Sequence, residues 1–302
     1  MEEYVNKVKL NLDIYTGDDA YSDGDIEDEI LSIVQSEEDL EEHLTHDNRW
    51  AVLYHLSTIR HNLLEWYDFD PEASLLEIGS GCGAMSGLFA RKCRQVTGVE
   101  LSKRRSLINA NRNRDCDNLE IRVGNFRDME FTEQYDYVTL IGVLEYSPGY
   151  VGGDAPFGTM LKKAHSLLKP GGVLITAIEN KFGLKYWAGA SEDHTGRAFD
   201  GIEGYPGVDF VRTFSRSELE KLMVDAGFEH NEFYYPYPDY KMPREVYSQD
   251  YLPAPGSITT PAPAYDRERY QVFDEVRVMN ELLREGMFPF FSNSFLVFSK
   301  KD

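Results

Sequence analysis

An open, mostly parallel α/β sheet is predicted for this chain by three observations. From Ser74 onward, short apolar runs alternate with helical stretches. The first of those runs feeds directly into a glycine-rich turn, and the closing run SNSFLVFSK reads as a strand able to return antiparallel to the sheet.

The expected strands are 74–78, 95–99, 119–123, 135–141 and 172–178, with helices near 84–92, 102–113 and 157–168 between them. This is a βαβαβ half followed by the start of a second, and right-handed crossovers fix the twist of the sheet. Ahead of it, residues 1–70 read as an accessory segment: a polar, extended stretch through Tyr15, then helices marked by Ile26, Ile30, Ile33 and Val34 and by Trp50, Leu53, Leu56 and Leu63. Between them the acidic loop Asp18–Glu29 resembles a calcium loop in that, with Asp19 as position 1, Gly24 falls at position 6, but Ile30 stands at position 12, where the closing Glu belongs. The loop is therefore read as a cap, with Asp25 starting the following helix.

Residues 71–302 are expected to form one domain with a lid at 179–213 and an insertion at 237–290. In SRSELEKLMVDAGF, Ser215 and Glu218 make a capping box and Gly227 ends the helix. A strand at 231–236, a proline-rich stretch at 236–263 and a helix from about Asp266 to Arg284 follow.

A formal net charge of −21 repels polyanions, so no nucleic-acid partner is expected. Lys181, Lys185, Arg197 and Arg212 lie near enough in sequence to meet one phosphate, but are read as solvated surface. The three cysteines, Cys82, Cys93 and Cys116, are odd in number and lack metal-ligand spacing. They are expected to be buried, in a reducing compartment and without a metal. The N-terminus has no basic start or apolar core, and no run approaches the ~18 apolar residues of a membrane span. A soluble, cytoplasmic protein without a membrane partner is the expectation.

The sharpest chemical signal is LLEIGSGCGAMSGLFA, a strand running into glycines and then a helix. Gly79, Gly81 and Gly83 let the backbone turn tightly and approach a ligand that a Cβ would exclude. Glu77 sets a carboxylate beside the loop, which suits an ammonium group better than a pyrophosphate. Glu100 falls 21 residues after Gly79, at the tip of the adjacent strand, where an acid can accept hydrogen bonds from both ribose hydroxyls. Leu101 is placed to flank an adenine ring, and Asn125 with Phe126, at the third strand's end, to read its edge.

The ordered set EIGSGCG, VTGVEL, VGNF, YDYVTLIGVLEY and LLKPGGVLITAIEN resembles the successive motifs of class I S-adenosylmethionine-dependent methyltransferases. The resemblance covers residues 70–240 and the final strand. It implies a Rossmann-like sheet and S-adenosyl-L-methionine as cofactor, with Glu77, Gly79, Gly81 and Gly83 around the methionine part, Glu100 on the ribose, and Asn125 and Phe126 at the adenine. Many relatives have Asp where Asn125 stands. The stretch 179–207, ENKFGLKYWAGASEDHTGRAFDGIEGYPG, is similar to bacterial methyltransferases associated with glycosyltransferases and surface-polysaccharide synthesis, which implies a glycan-type acceptor.

Methyl transfer to oxygen also requires loss of a proton. His194 in the EDHTG run is the first candidate base and Glu145, just after the fourth strand, the second. The alternatives are a histidine bonded within its own loop and a glutamate that orients a helix. At the level of the whole protein, Gly79, Gly81 and Ala84 also satisfy the GxGxxA form of a dinucleotide fingerprint, so the rivals are an NAD(P)-dependent oxidoreductase and a non-catalytic cofactor-binding scaffold. The acceptor atom and oligomeric state are not written in the sequence.

Overall fold

The computed structural model describes residues 2–17, 19, 22–36, 39–264 and 267–302. Asp18, Ala20 and Tyr21 of the acidic loop, and Asp266 at the expected start of the late helix, lie outside the described residues. The chain divides into two compact units: residues 1–140 with 166–173, and residues 141–165 with 174–302.

The first unit holds β1 (Glu2–Val5), β2 (Val8–Asn11), β3 (Ser74–Ile78), β4 (Gln95–Glu100), β5 (Leu119–Val123), β6 (Tyr135–Ile141) and the start of β7 (Leu168–Glu179). Their order is β1-β2-β5-β4-β3-β6-β7. β3 is central, parallel to β4 on one side and to β6 on the other, and β4 is parallel to β5. The five-strand expectation holds to within a residue or two, except that β7 begins at Leu168.

The polar start of the chain is the larger surprise, because it is a hairpin that extends this sheet. Asn6, at φ 54, supplies the left-handed turn between β1 and β2. Val8 and Leu10 are fully buried while their neighbours are not, and β2 runs parallel to β5. A four-residue strand with two inward side chains is too short for its alternation to stand out in sequence.

Three helices follow: α1 (Ile26–Gln35), α2 (Leu40–His46) and α3 (Trp50–Leu56), then a 3-10 turn at Thr58–Leu63. Ile30, Val34, Val52 and Leu56 pack with Cys82 of the glycine loop and Ile108 of α5 (Lys103–Arg112), which follows α4 (Ser86–Lys92). The accessory segment thus belongs to the body of the first unit. Asp25 makes no side-chain cap on α1. Glu27 instead ties down the stretch ahead of the helix, accepting from Asp23 N at 2.8 Å and from Arg105 Nε at 2.7 Å.

The second unit contains α6 (Ser147–Tyr150), most of α7 (Pro156–Leu167), α8 (Leu184–Trp187), α9 (Arg216–Asp225), β8 (His230–Tyr237), β9 (Glu245–Ser248), α10 (Glu275–Arg284), α11 (Phe288–Phe291) and β10 (Ser294–Lys300). Its strand order is β7-β10-β8-β9, with β10 antiparallel to β8 as expected. The Ser215–Glu218 capping box forms, and Gly227 leaves the helix at φ 105. The late helix starts at Glu275 because Asp274 caps it. The preceding residues run elsewhere: Val272 N donates to Ala188 O, and Arg269 reaches Ala262 O and Glu275. Among the described residues no helix is long and apolar enough to cross a membrane.

Candidate functional site

In the first unit β3 ends at Ile78 and the chain turns through Gly79, Gly81 and Gly83, all at positive φ. The turn hangs on the neighbouring strand: Gly79 and Ser80 both donate to Val99 O at 2.9 Å. The glycines then divide their tasks. Gly79 is exposed, and a Cβ on Gly81 would meet nothing within 4 Å, so the space beside it is open. A Cβ on Gly83 would fall 2.4 Å from Asn109 Oδ1, so this glycine seats the loop against α5.

Glu100 ends β4 beneath that loop. Its Oε2 accepts from Gly81 N at 2.9 Å and its Oε1 from Ser102 N at 3.0 Å. Burial pushes its pKa up, against the pull of Arg105 and of these amides. Each carboxylate oxygen retains a further lone pair for a ligand hydroxyl. Ser80 Oγ, buried in the same loop, has no hydrogen-bond partner. The open flank of Gly81, the spare acceptor capacity of Glu100 and the orphaned Ser80 hydroxyl together fit a nucleoside ligand.

Glu77 lies deeper. Asn109 Nδ2 donates to Ser86 Oγ at 2.9 Å, and Ser86 Oγ donates to Glu77 Oε2 at 2.5 Å. Burial raises the Glu77 pKa to about 8, so this carboxyl is largely protonated at neutral pH and draws an ammonium group only after losing that proton. Leu101 is half-buried at the tip of β4. Asn125 Oδ1 accepts from Arg127 N at 2.9 Å, capping a short turn that buries Phe126. Ile14 packs over Gly124, where a Cβ would come within 2.8 Å of it.

The second unit brings His194 and Glu145 together with a residue that sequence reasoning passed over. Glu179 is the last residue of β7, Glu145 sits in a 3-10 turn at Leu144–Tyr146, and His194 follows α8. Glu145 and Glu179 are buried, and the His194 side chain is 7% exposed. His194 Nε2 lies 3.7 Å from Glu145 Oε1 and 4.0 Å from Glu179 Oε2. Their ligand-type atoms fall within 4.8 Å of one another, a group that could hold a metal ion.

His194 is fixed by Glu192, whose Oε2 accepts from the backbone N–H of His194 and Thr195 while its Oε1 meets His194 Nδ1 at 2.8 Å. Burial disfavours charge on the ring, but Glu179, Glu145 and Glu192 outweigh it and hold the His194 pKa well above the usual histidine range. That shift favours the imidazolium form, and His194 can act as a base only from its neutral form. Burial raises the Glu145 pKa, whereas Lys241 and His194 overcome burial at Glu179 and lower it. The Oε2 atoms of Glu145 and Glu179 are buried without a hydrogen-bond partner.

The expected lid is built into this unit: Tyr186, Glu192, Asp200 and Tyr205 within it are buried. Lys181 and Lys185, read from sequence as surface cations, are buried too, paired with Glu218 at 2.7 Å and Asp193 at 2.8 Å. Cys82 and Cys93 are buried as expected, and burial pushes both thiols up to about 12. A hollow of about 310 Å³ opens between Pro148, Phe157, Val208, Val211 and Arg212. Arg212 N donates to Glu145 O at 3.1 Å. The missed residue, Glu179, left one signal: like Glu100, it is an acid at the C-terminal tip of a strand.

A sequence profile of methyltransferase domains matches residues 44–232. The ubiquinone biosynthesis O-methyltransferase of Psychrobacter arcticus is 26% identical over 165 residues, which take in 52% of this chain and 60% of that enzyme. The CcbJ methyltransferase of Streptomyces caelestis has the same fold at 17% identity, with a TM-score of 0.50 over 84% of this chain and 97% of that one.

Proposed function

Because the chain belongs to the family of methyltransferase domains, we propose that it transfers the methyl group of S-adenosyl-L-methionine to an oxygen of a small-molecule or glycan-type acceptor. The observation that carries this reading is the hold of Glu100 on the glycine loop: the acid ending β4 bonds Gly81 N, beside the open flank of the turn. A nucleoside bound there meets the carboxylate with its ribose.

The cofactor supplies an already activated methyl on its sulfonium, so the chain's work is to bind and align. Gly79 and Gly81 receive the methionine part. Glu77 faces its ammonium through the loop, Leu101 flanks the adenine, and Asn125 and Phe126 read the adenine edge. Gly83 acts by shaping the turn.

Oxygen is favoured by the curated relative, which is named an O-methyltransferase, and a glycan by the character of residues 179–207. Of the two candidate bases, His194 and Glu145, which lie 3.7 Å apart, the acceptor's proton goes to Glu145 when its carboxylate binds nothing else, because the surrounding acids favour the protonated form of His194. The hollow beside Arg212, lined by Phe157, Val208 and Val211 together with Asp209 and Arg212, is of a size for a small acceptor. A charge of −21 argues against nucleic acid as that acceptor, and the free thiols fit a reducing, cytoplasmic compartment.

Calorimetry with S-adenosylhomocysteine and with NADH tests the reading. Binding of the first and not the second is expected, and binding of NADH alone overturns it in favour of an NAD(P)-dependent oxidoreductase. Tight binding of S-adenosylhomocysteine, with no labelled methyl passed to any fraction of a cell extract, would make the protein a scaffold.

A further inference from the structure

We propose that Glu145, Glu179 and His194 form a binding site for a divalent first-row metal ion such as Mn²⁺ or Zn²⁺. Three observations within the second unit converge on it, and none depends on the methyl-transfer reading.

The first is a pair of buried carboxylate oxygens without hydrogen-bond partners. Glu145 Oε2 and Glu179 Oε2 belong to side chains that are 1% and 0% exposed, and neither has a hydrogen-bond partner. Native interiors rarely leave such atoms unsatisfied, and carboxylates least of all.

The second is preset orientation. His194 Nδ1 is engaged by Glu192 at 2.8 Å, which with the ring neutral leaves the Nε2 lone pair facing the two glutamates. A ligating histidine whose other nitrogen donates to a carboxylate is the usual outer-shell arrangement of metal sites. Glu179 is oriented in the same way: Lys241 Nζ and Tyr240 OH take its Oε1 at 2.7 and 3.3 Å, and its Oε2 is the atom that faces His194.

The third is the balance of charge. Around the three ligands stand the further carboxylates of Glu192, Asp193 and Asp239, answered by only two ammonium groups, Lys185 and Lys241. A dication with a neutral imidazole brings this group nearer neutrality than an imidazolium does. The separations of 3.7 and 4.0 Å need to contract only slightly, since two ligands about 2.1 Å from a tetrahedral centre lie roughly 3.4 Å apart. Two carboxylates and one imidazole suit Mn²⁺ or Zn²⁺, and a three-ligand set leaves a position open for an oxygen ligand.

The test is titration of chelator-treated full-length protein with MnCl₂ and with ZnCl₂, followed by calorimetry and, for Mn²⁺, by electron paramagnetic resonance. One equivalent is expected to bind, with nitrogen coupling from the imidazole in the Mn²⁺ spectrum. His194→Gln should abolish that coupling, Glu179→Gln should weaken binding by a hundredfold or more, and Glu192→Gln by ten- to a hundredfold. Each variant is checked for an unchanged circular dichroism spectrum, and Glu145→Gln stands in where one fails to fold. Absence of stoichiometric binding to the wild-type protein, or binding that the ligand substitutions leave unaltered, overturns the proposal. Neither result touches the cofactor reading, which S-adenosylhomocysteine binding decides separately.

Discussion

Glu100 in the first unit and Glu179 in the second each end a strand, and each is buried, yet different groups answer them. Glu100 meets the backbone N–H groups of Gly81 and Ser102, while Glu179 meets the charged side chains of Lys241 and His194. Burial pushes both pKa values up, and it prevails at Glu100 but loses at Glu179, where full positive charges stand close. Amide dipoles hold a carboxylate in place without offsetting its loss of solvent, whereas nearby cations do both. A binding crevice made the first way keeps acids ready for new partners. The acid–histidine cluster, made the second way, is already a network.

The largest expected effect sharpens the first half of this contrast. Glu77 is the extreme case in the first unit, answered by the Ser86 hydroxyl and raised by burial from 4.5 to about 8. The folded protein keeps a proton there that the unfolded chain releases at ordinary carboxylate pH. The stabilisation from this group is therefore complete below about pH 4.5 and is lost as the pH rises to about 8, a change of roughly 4 kcal/mol. Urea unfolding across that range should show the slope, and Glu77→Gln should flatten it. Equal slopes in the two proteins would place the proton elsewhere.

Next in size is Glu100→Ala. If its carboxylate takes the ribose as proposed, the substitution should weaken S-adenosylhomocysteine about a hundredfold, or about 2.7 kcal/mol, while the protein stays folded. Unchanged affinity in calorimetry would remove Glu100 from the ribose and leave it as a brace for the loop.

Most of the first region was legible in the sequence. Gly79, Gly81, Glu100 and Asn125 lie on short, contiguous strand-to-helix passages, where one residue's offset from the strand end determines its place. The capping box at Ser215 was legible for the same reason. The second region was not, because its contacts span long stretches of chain. Glu145, Glu179, His194 and Lys241 meet only once the unit is folded, and no local period marks them. His194 and Glu145 were found singly, as chemically apt residues, but their charge states follow from Glu179 and Glu192. Lys181 and Lys185 were misjudged likewise: a lysine is read as surface unless a buried acid such as Glu218 or Asp193 is known to await it.

Tyr205→Phe tests the second half of the contrast. The Tyr205 hydroxyl donates to Glu192 Oε1 at 3.1 Å, shares a hydrogen with Thr213 Oγ1 at 2.5 Å and accepts from Thr213 N at 3.2 Å. Removing it leaves buried groups unpaired and should cost about 2 kcal/mol of stability in denaturant unfolding. Affinity for S-adenosylhomocysteine should not change. A loss of affinity equal to that of Glu100→Ala would show that the cluster and the crevice act as one.

The smallest effect is expected at Asp25, and it bears on how the first unit holds its acids. As the residue preceding α1, Asp25 has the side chain that caps helices best, and replacing a working cap by alanine costs about 1 kcal/mol. Here the backbone of Asp25 is already helical, at φ −64 and ψ −20, so its carboxylate makes no cap. Glu27, from within the first turn, instead holds the stretch leading into the helix, accepting from Asp23 N at 2.8 Å and Ser22 Oγ at 2.9 Å while binding Arg105 Nε at 2.7 Å. The carboxylate that holds this entry stretch is thus the one whose ion pair ties α1 to α5, next to the loop that Glu100 supports. Asp25→Ala should therefore change stability by less than about 0.5 kcal/mol in denaturant unfolding. A full cap's loss at Asp25 would mean that Glu27 serves α5 alone, and that the first unit anchors its helices separately from its crevice.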